Sequence, residues 1–345
     1  MTIEFLEQFA QVIVRILLLG GAAFLLTMLM TPIYTYFAYK YKFWKRQKTV
    51  TLVGKKLEVF NKLHAAKIAR HVPTMAGLVF VLAVAIITLC FNLSRPQTLL
   101  PLAAIIAGAL IGLIDDIMNL KSNGGVAGLR APVKFVMVTA LGLALGWFFW
   151  SKLGFTVVHI PFIGAWDLGI WIVPVFAFVV VATGNAVNIS DGLDGLAGGL
   201  AATAFVIFAL IALLGHQFGL AAFCFTIVGA LLAYLWFNIY PARFFMGDTG
   251  SFALGVSLGV VAMLTNSLFL LPIIAGVFVV ETLSVIIQQV SKKFRNGKKV
   301  FLVAPLHHHF EASGWPEAKV TMRFWLMGNI AGIIGLIVAI AGGNV

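Results

Sequence analysis

Residues 98–116 read TLLPLAAIIAGALIGLIDD, an apolar run with no charge until it stops on two adjacent aspartates. A helix needs about 20 mostly apolar residues to span the hydrocarbon core of a bilayer, with a range of about 17–25. Such a run therefore crosses a membrane and delivers two acids to one face of it. The rest of the chain repeats the pattern. Reading apolar stretches between polar breaks gives ten candidate spans, near 13–37, 76–93, 98–114, 132–150, 168–187, 195–215, 219–239, 250–266, 268–290 and 323–341, of which the third and eighth are the shortest. Backbone groups cannot stay unpaired in lipid, and no barrel-type alternation is present. The expected fold is all-α, a polytopic membrane bundle of about ten transmembrane helices forming a single domain over 1–345. Between Phe155 and Trp166 the sequence is less helical, with Thr156-Val157-Val158 ahead of Pro161 and Gly164, and a short extracytoplasmic hairpin is expected there.

Composition agrees. Of 345 residues 61% are hydrophobic and 10% charged, with a mean hydropathy of +1.03. A soluble domain is about a quarter charged, so lipid is the main solvent here. Disorder, nucleic-acid binding and a disulfide-stapled secreted fold are excluded together. The two cysteines, Cys90 and Cys224, lie in apolar runs and form neither a disulfide framework nor a thiolate metal cluster. The opening residues carry Glu4 and Glu7 rather than a basic stretch, so no cleavable leader is expected. No internal repeat is visible, which disfavours an inverted-repeat transporter.

The net charge of +12 sets orientation. Ten Lys or Arg fall in 40–70, three in 115–134, one at Arg243 and seven in 291–323, so 21 of the 24 lie in connections that follow an odd-numbered span. The positive-inside rule puts those connections in the cytoplasm and both termini outside. Topology and attraction to anionic lipid would suffice to explain the excess, and binding of a polyphosphate substrate is the alternative.

The 12 acids are more informative, because acids contribute little to orientation. Five of them, Asp115, Asp116, Asp191, Asp194 and Asp248, stand at the cytoplasmic ends of apolar runs. Carboxylates are hard oxygen ligands of the kind Mg²⁺ takes one or two at a time together with phosphate oxygens, and nearby cations would hold a polyphosphate. That combination suggests phosphoryl-type transfer at the cytoplasmic surface. Each piece has a plainer reading as well. Asp115-Asp116 could be a helix-terminal pair meeting water. Within Asn188-Ile189-Ser190-Asp191-Gly192-Leu193-Asp194-Gly195-Leu196 either aspartate could cap the sixth helix, and in Phe245-Met246-Gly247-Asp248-Thr249-Gly250-Ser251 the aspartate could cap the eighth. Three successive histidines, His307, His308 and His309, cannot all face one metal from a regular helix; beside Pro305 and Phe310 they suit hydrogen bonding to phosphate or sugar oxygens.

Taken together, these motifs resemble the phospho-N-acetylmuramoyl-pentapeptide transferases, a branch of the polyprenyl-phosphate phosphosugar transferases. Asp115-Asp116 is similar to the family's paired aspartates. Asn188–Gly198 is similar to its Asn-x-x-Asp-Gly-x-Asp-Gly-Leu-Ala signature, Asn238–Ser251 to its Phe-Met-Gly-Asp-Thr-Gly-Ser loop, and Pro73–Gly77 to its Pro-Thr-Met-Gly-Gly; the histidine run marks the muramoyl-pentapeptide branch. The resemblance implies a bacterial cytoplasmic-membrane enzyme, active at the cytoplasmic face, in which undecaprenyl phosphate attacks the sugar-linked phosphate of UDP-N-acetylmuramoyl-pentapeptide and UMP leaves. It implies Mg²⁺ held by Asp248, essential acids Asp115 and Asp116, and a homodimer. It also implies contacts to the donor from Lys67, Lys134, Asn188, Asp191, Asp194, Asn238, Phe245, Gln288 and the three histidines, with Arg70 and Arg130 as alternatives to the two lysines. Two rivals remain. One is transfer from UDP-N-acetylglucosamine, against which the histidines argue. The other is a transporter, for which Glu281 inside the ninth span would be the signature.

Overall fold

The computed structural model describes residues 3–44, 71–121 and 128–344. Its helices are α1 (Ile3–Lys40), α2 (Gly77–Phe91), α3 (Leu99–Lys121), α4 (Ala131–Leu153), α5 (Ile172–Ser190), α6 (Leu196–Leu214), α7 (Phe218–Asn238), α8 (Gly247–Leu264), α9 (Gly276–Phe294), the short α10 (Leu306–Ala312) and α11 (Glu317–Ala341). Between α4 and α5 the expected hairpin is present: β1 (Val157–Ile160) pairs antiparallel with β2 (Gly164–Asp167), Val158 opposite Trp166.

Eight of these helices are long and apolar enough to cross a membrane, α3 and α8 among them. Besides the short α10, α2, at 15 residues, and α9 fall short. At α3 and α9 the difference from the sequence reading has a physical cause. The third run gains length because α3 does not stop at Asp115-Asp116: both are buried and hydrogen-bonded, so the helix continues to Lys121. In α9 the usual pattern is inverted. Glu281, Ser284, Gln288 and Ser291 form the buried stripe, while Val280, Leu283, Ile286, Ile287 and Val290 face outward. That arrangement suits a helix with lipid on one side and a polar interior on the other.

At the centre stands α8, whose apolar window is 94% buried against 28% for the peripheral α1, α4 and α11. Without a hydrophobic drive between helices in lipid, close backbone approach through small residues does the packing. A Cβ on Gly112 of α3 would lie 2.0 Å from the Asp248 carbonyl oxygen, one on Gly77 of α2 2.3 Å from Gly250, and one on Gly255 of α8 2.5 Å from the Thr183 carbonyl oxygen. These contacts draw the N-terminal turn of α8 against α2 and α3. Outward-facing Leu29, Phe178 and Trp236 are more than 70% exposed, an apolar surface fit only for lipid. The end of the bundle carrying β1 and β2 is tied by Asn92 and Gln97 to Gly219 and by Asn266 to His159 and Asn344. Gly112→Ala is expected to cost about 1–3 kcal/mol through overpacking. It should lower the detergent melting temperature, whereas Gly21→Ala, where a Cβ meets nothing within 4 Å, should not; indistinguishable melting curves would refute this account of α3 on α8.

Candidate active site

At the opposite end of the bundle, the C-terminal turns of α3 and α5 meet the first turns of α4, α6, α8 and α11. The centre is one ammonium group. Lys134 Nζ, from the first turn of α4, donates to Asp115 Oδ2 at 2.9 Å and to Asp248 Oδ2 at 2.7 Å, and lies 5.1 Å from the Phe252 ring. Pro132, in the first turn of α4, has its φ preset for the helix, and Lys134 follows two residues later on the inward face. Asp115 is nearly closed off, with its side chain 4% exposed, while Asp248 and Lys134 keep 15% and 19%. Its second oxygen accepts from the Leu129 backbone N–H at 2.6 Å, and Asn119, one turn along α3, donates to the first at 3.2 Å. Gly128, at φ +89, brings that loop in; a Cβ there would sit 2.8 Å from Asp115 Oδ1.

Asp116 has a different task. Its Oδ2 accepts from both the backbone N–H and the hydroxyl of Thr249, at 2.9 and 2.8 Å. The first turn of α8 leaves N–H groups without helical partners, and no side chain of its own cap satisfies them. A carboxylate from another helix does so instead, favoured by the helix dipole. The cap expected as an alternative role for Asp248 is thus supplied by Asp116. Gly247, at φ +70, permits the approach: a Cβ would fall 2.5 Å from Asp116 Oδ2 and 2.7 Å from Thr74 Oγ1. The Pro73–Gly77 segment is laced to the same turn, with Phe245 N donating to Pro73 O and Ala76 N to Phe245 O, at 2.8 and 3.0 Å. Phe245 keeps a half-buried ring at this edge.

The Asn188–Leu196 segment joins from α5. Asn188 Nδ2 donates to Ser251 Oγ at 2.9 Å, one turn along α8 from Asp248. Asp191 is half-buried at the end of α5. Asp194 is buried and binds backbone: its Oδ2 accepts from Ala242 N, and its own N–H donates to Glu317 of α11. Asn238 similarly links Gly195 N to Phe244 O, and α6 has no side-chain cap. Gln288 lies two turns beyond Glu281 on α9, where it accepts from Val300 N and Phe301 N and donates to Phe301 O. The three histidines diverge, as the helical spacing requires. His307 turns inward to Glu281, His308 pairs with Glu311, and His309 accepts from Leu302 N. Lys67 and its alternative Arg70 lie outside the described residues.

The structure thus gathers Asp115, Asp116, Lys134, Asn188 and Asp248 at one point. His307 reaches the same neighbourhood through Gly192, and Gln288, Asn238 and Asp194 shape the surrounding loops. The sequence reading did not select Asn119, Leu129, Thr249, Ser251 or Phe252. Asn119 had a legible signal, one helical turn after Asp115, once α3 is allowed to continue. Leu129 acts through its backbone N–H and had none.

Among the described residues no three His, Cys, Asp or Glu side chains gather as a metal-binding group. Two carboxylates, however, already converge on a single cation at a partly open position. That donor set fits Mg²⁺ of the kind completed by phosphate oxygens and water rather than by an all-protein cage.

The profile of glycosyl transferase family 4 matches residues 98–266, the stretch that holds the aspartate pair, the Asn188–Leu196 loop and Asp248. That match and the eight membrane-length helices make the molecule a membrane-embedded transferase. Over 96% of its length the chain is 39% identical to a phospho-N-acetylmuramoyl-pentapeptide-transferase of Chloroflexus aggregans, covering 91% of that protein. It is 38% identical to one from a Geobacillus species over 92% of this chain and 96% of the other, and 41% identical to one from Chlorobaculum parvum over 75% and 77%. The chain belongs to the phospho-N-acetylmuramoyl-pentapeptide-transferase family.

Asp116→Ala is expected to strand two buried donors of Thr249, at a cost of about 1–3 kcal/mol each. Thr249→Val, which keeps the N–H bond, should cost less. Unfolding in detergent that ranks the two variants the other way would overturn the capping role of Asp116.

Proposed function

We propose that this chain transfers phospho-N-acetylmuramoyl-pentapeptide from its UDP-linked form to undecaprenyl phosphate and releases UMP, the first lipid-linked step of peptidoglycan synthesis. Kinship along nearly the whole chain with proteins of that name supports the reading. The observation that carries it is Lys134 held between Asp115 and Asp248 at one end of an apolar bundle. An oxygen of the lipid phosphate attacks the sugar-linked phosphorus, a new P–O bond forms, and the bond to the bridging oxygen of UMP breaks. Little covalent chemistry is required of the protein, so positioning and charge supply most of the acceleration.

Asp115 takes the proton from the lipid phosphate or orients it, its carboxylate being fixed by Leu129 N, Asn119 and Lys134. Lys134, partly exposed between the two carboxylates, would offset charge on the transferring group. Asp248, with Asp115 beside it, would hold Mg²⁺, which when bound neutralises charge on the pyrophosphate. Asn188 and Asp191 offer hydrogen-bonding groups to the nucleotide, and Phe245 offers a ring face to its base. The histidine segment stands on the sugar-peptide side. We place this end of the bundle in the cytoplasm, with ten crossings and both termini outside. In support, Lys40, Lys121, Arg130, Arg243, Lys292 and Lys293 share it, while Arg95 and Lys152 flank the hairpin end.

Asp248→Asn should abolish Mg²⁺-dependent UMP release from purified protein supplied with both substrates, without lowering its melting temperature. Release at the parent rate would remove Asp248 from the mechanism. In a competition with labelled donors, transfer from UDP-N-acetylmuramoyl-pentapeptide is expected, and transfer from UDP-N-acetylglucosamine alone would refute the donor assignment.

A further inference from the structure

The buried stripe of α9 contains a carboxylate that the chemistry above does not use. Glu281 has no exposed surface, and neither does its partner His307. Glu281 Oε2 lies 2.9 Å from His307 Nδ1, and Oε1 accepts from the His307 backbone N–H at 3.1 Å. Among the described residues no lysine or arginine pairs with it. A carboxylate against Nδ1 holds the proton on that nitrogen and fixes the plane of the ring, leaving Nε2 as the only ring atom able to serve elsewhere.

Nε2 is buried and has no hydrogen-bond partner among the described residues. A buried polar atom without a partner needs a cause, and an absent ligand is one such cause. The atom points at Gly192, in the middle of the Asn188–Leu196 loop, where a Cβ would come within 2.2 Å of it. Only glycine lets the imidazole pack so closely on the loop backbone. That contact sets the histidine segment against the loop whose Asn188 binds the first turns of α8.

We propose that Glu281 is a positioning residue: it holds His307 so that Nε2, beside Gly192 of the Asn188–Leu196 loop, accepts from a hydroxyl group of the phosphosugar donor. The inference rests on the transferase reading and extends it to a residue that touches no substrate itself. An ordinary structural pair would anchor α10 to α9 and would leave Nε2 bonded to protein.

The test uses full-length protein in detergent, UDP-N-acetylmuramoyl-pentapeptide and undecaprenyl phosphate, with UMP release followed as each substrate is varied in turn. Glu281→Ala should raise KM for the nucleotide donor about tenfold, the effect of one lost hydrogen bond to a polar ligand, with KM for the lipid phosphate unchanged within about twofold. Glu281→Gln, which keeps an oxygen opposite Nδ1–H, should lie between Glu281→Ala and the parent. Gly192→Ala leaves the Glu281–His307 pair in place and should raise the same donor KM. The double variant should be no worse than the poorer single one, because both act through one atom. Parent-like donor KM in either single variant, additive effects, or equal losses for both substrates that track a fall in melting temperature would each overturn the proposal. Absence of UMP release from the parent protein would instead overturn the transferase reading on which it rests.

Discussion

A single ammonium group between two carboxylates governs how this bundle is built. Asp115 and Asp248 come from helices packed backbone to backbone, and two acids forced so close in a nearly dry site would repel each other strongly. Lys134, arriving from a third helix, makes that contact tolerable. The same convergence makes the site chemically useful. Asp248 and Lys134 stay partly open to the surface, while Asp115 is closed off.

The close approach itself depends on glycine. Gly77, Gly112 and Gly247 allow α2, α3 and Asp116 to reach the first turn of α8, and any side chain there would push them apart. Asp116 then closes the turn by accepting from Thr249. The two adjacent aspartates therefore divide their tasks through the direction each faces: one points to the cation, the other to a helix terminus. A similar division separates the three histidines, of which His307 packs on Gly192 of the Asn188–Leu196 loop. Glu281, which in the sequence suggested a transporter, is the buried partner that directs it. The inverted character of α9, polar within and apolar without, is what lets a glutamate sit at that depth.

Much of this was legible before any fold was known. Apolar runs of membrane-spanning length located the helices, the break at Thr156–Gly164 located the hairpin, and the scarce acids marked the end of the bundle where Asp115, Asp116 and Asp248 meet. What escaped the sequence did so for definite reasons. A helix was expected to stop at Asp115-Asp116 because charge normally ends an apolar span; burial and pairing allow α3 to continue. Asp248 and Asp194 were weighed as local caps because capping is judged from neighbours in the chain, whereas α8 is capped from α3 and Asp194 binds the loop before α8. Leu129 could not be chosen at all, since it contributes only an N–H.

Composition and periodicity alone determined that the chain lives in lipid, that it is helical, and that its acids and bases gather at the ends of particular spans. Those properties follow from transfer free energies, which are additive along a chain. Which acid meets the cation, which closes a helix and which histidine faces the loop were decided only by tertiary structure. Such choices depend on directions and distances between helices far apart in sequence, set here by where glycine lets two backbones touch.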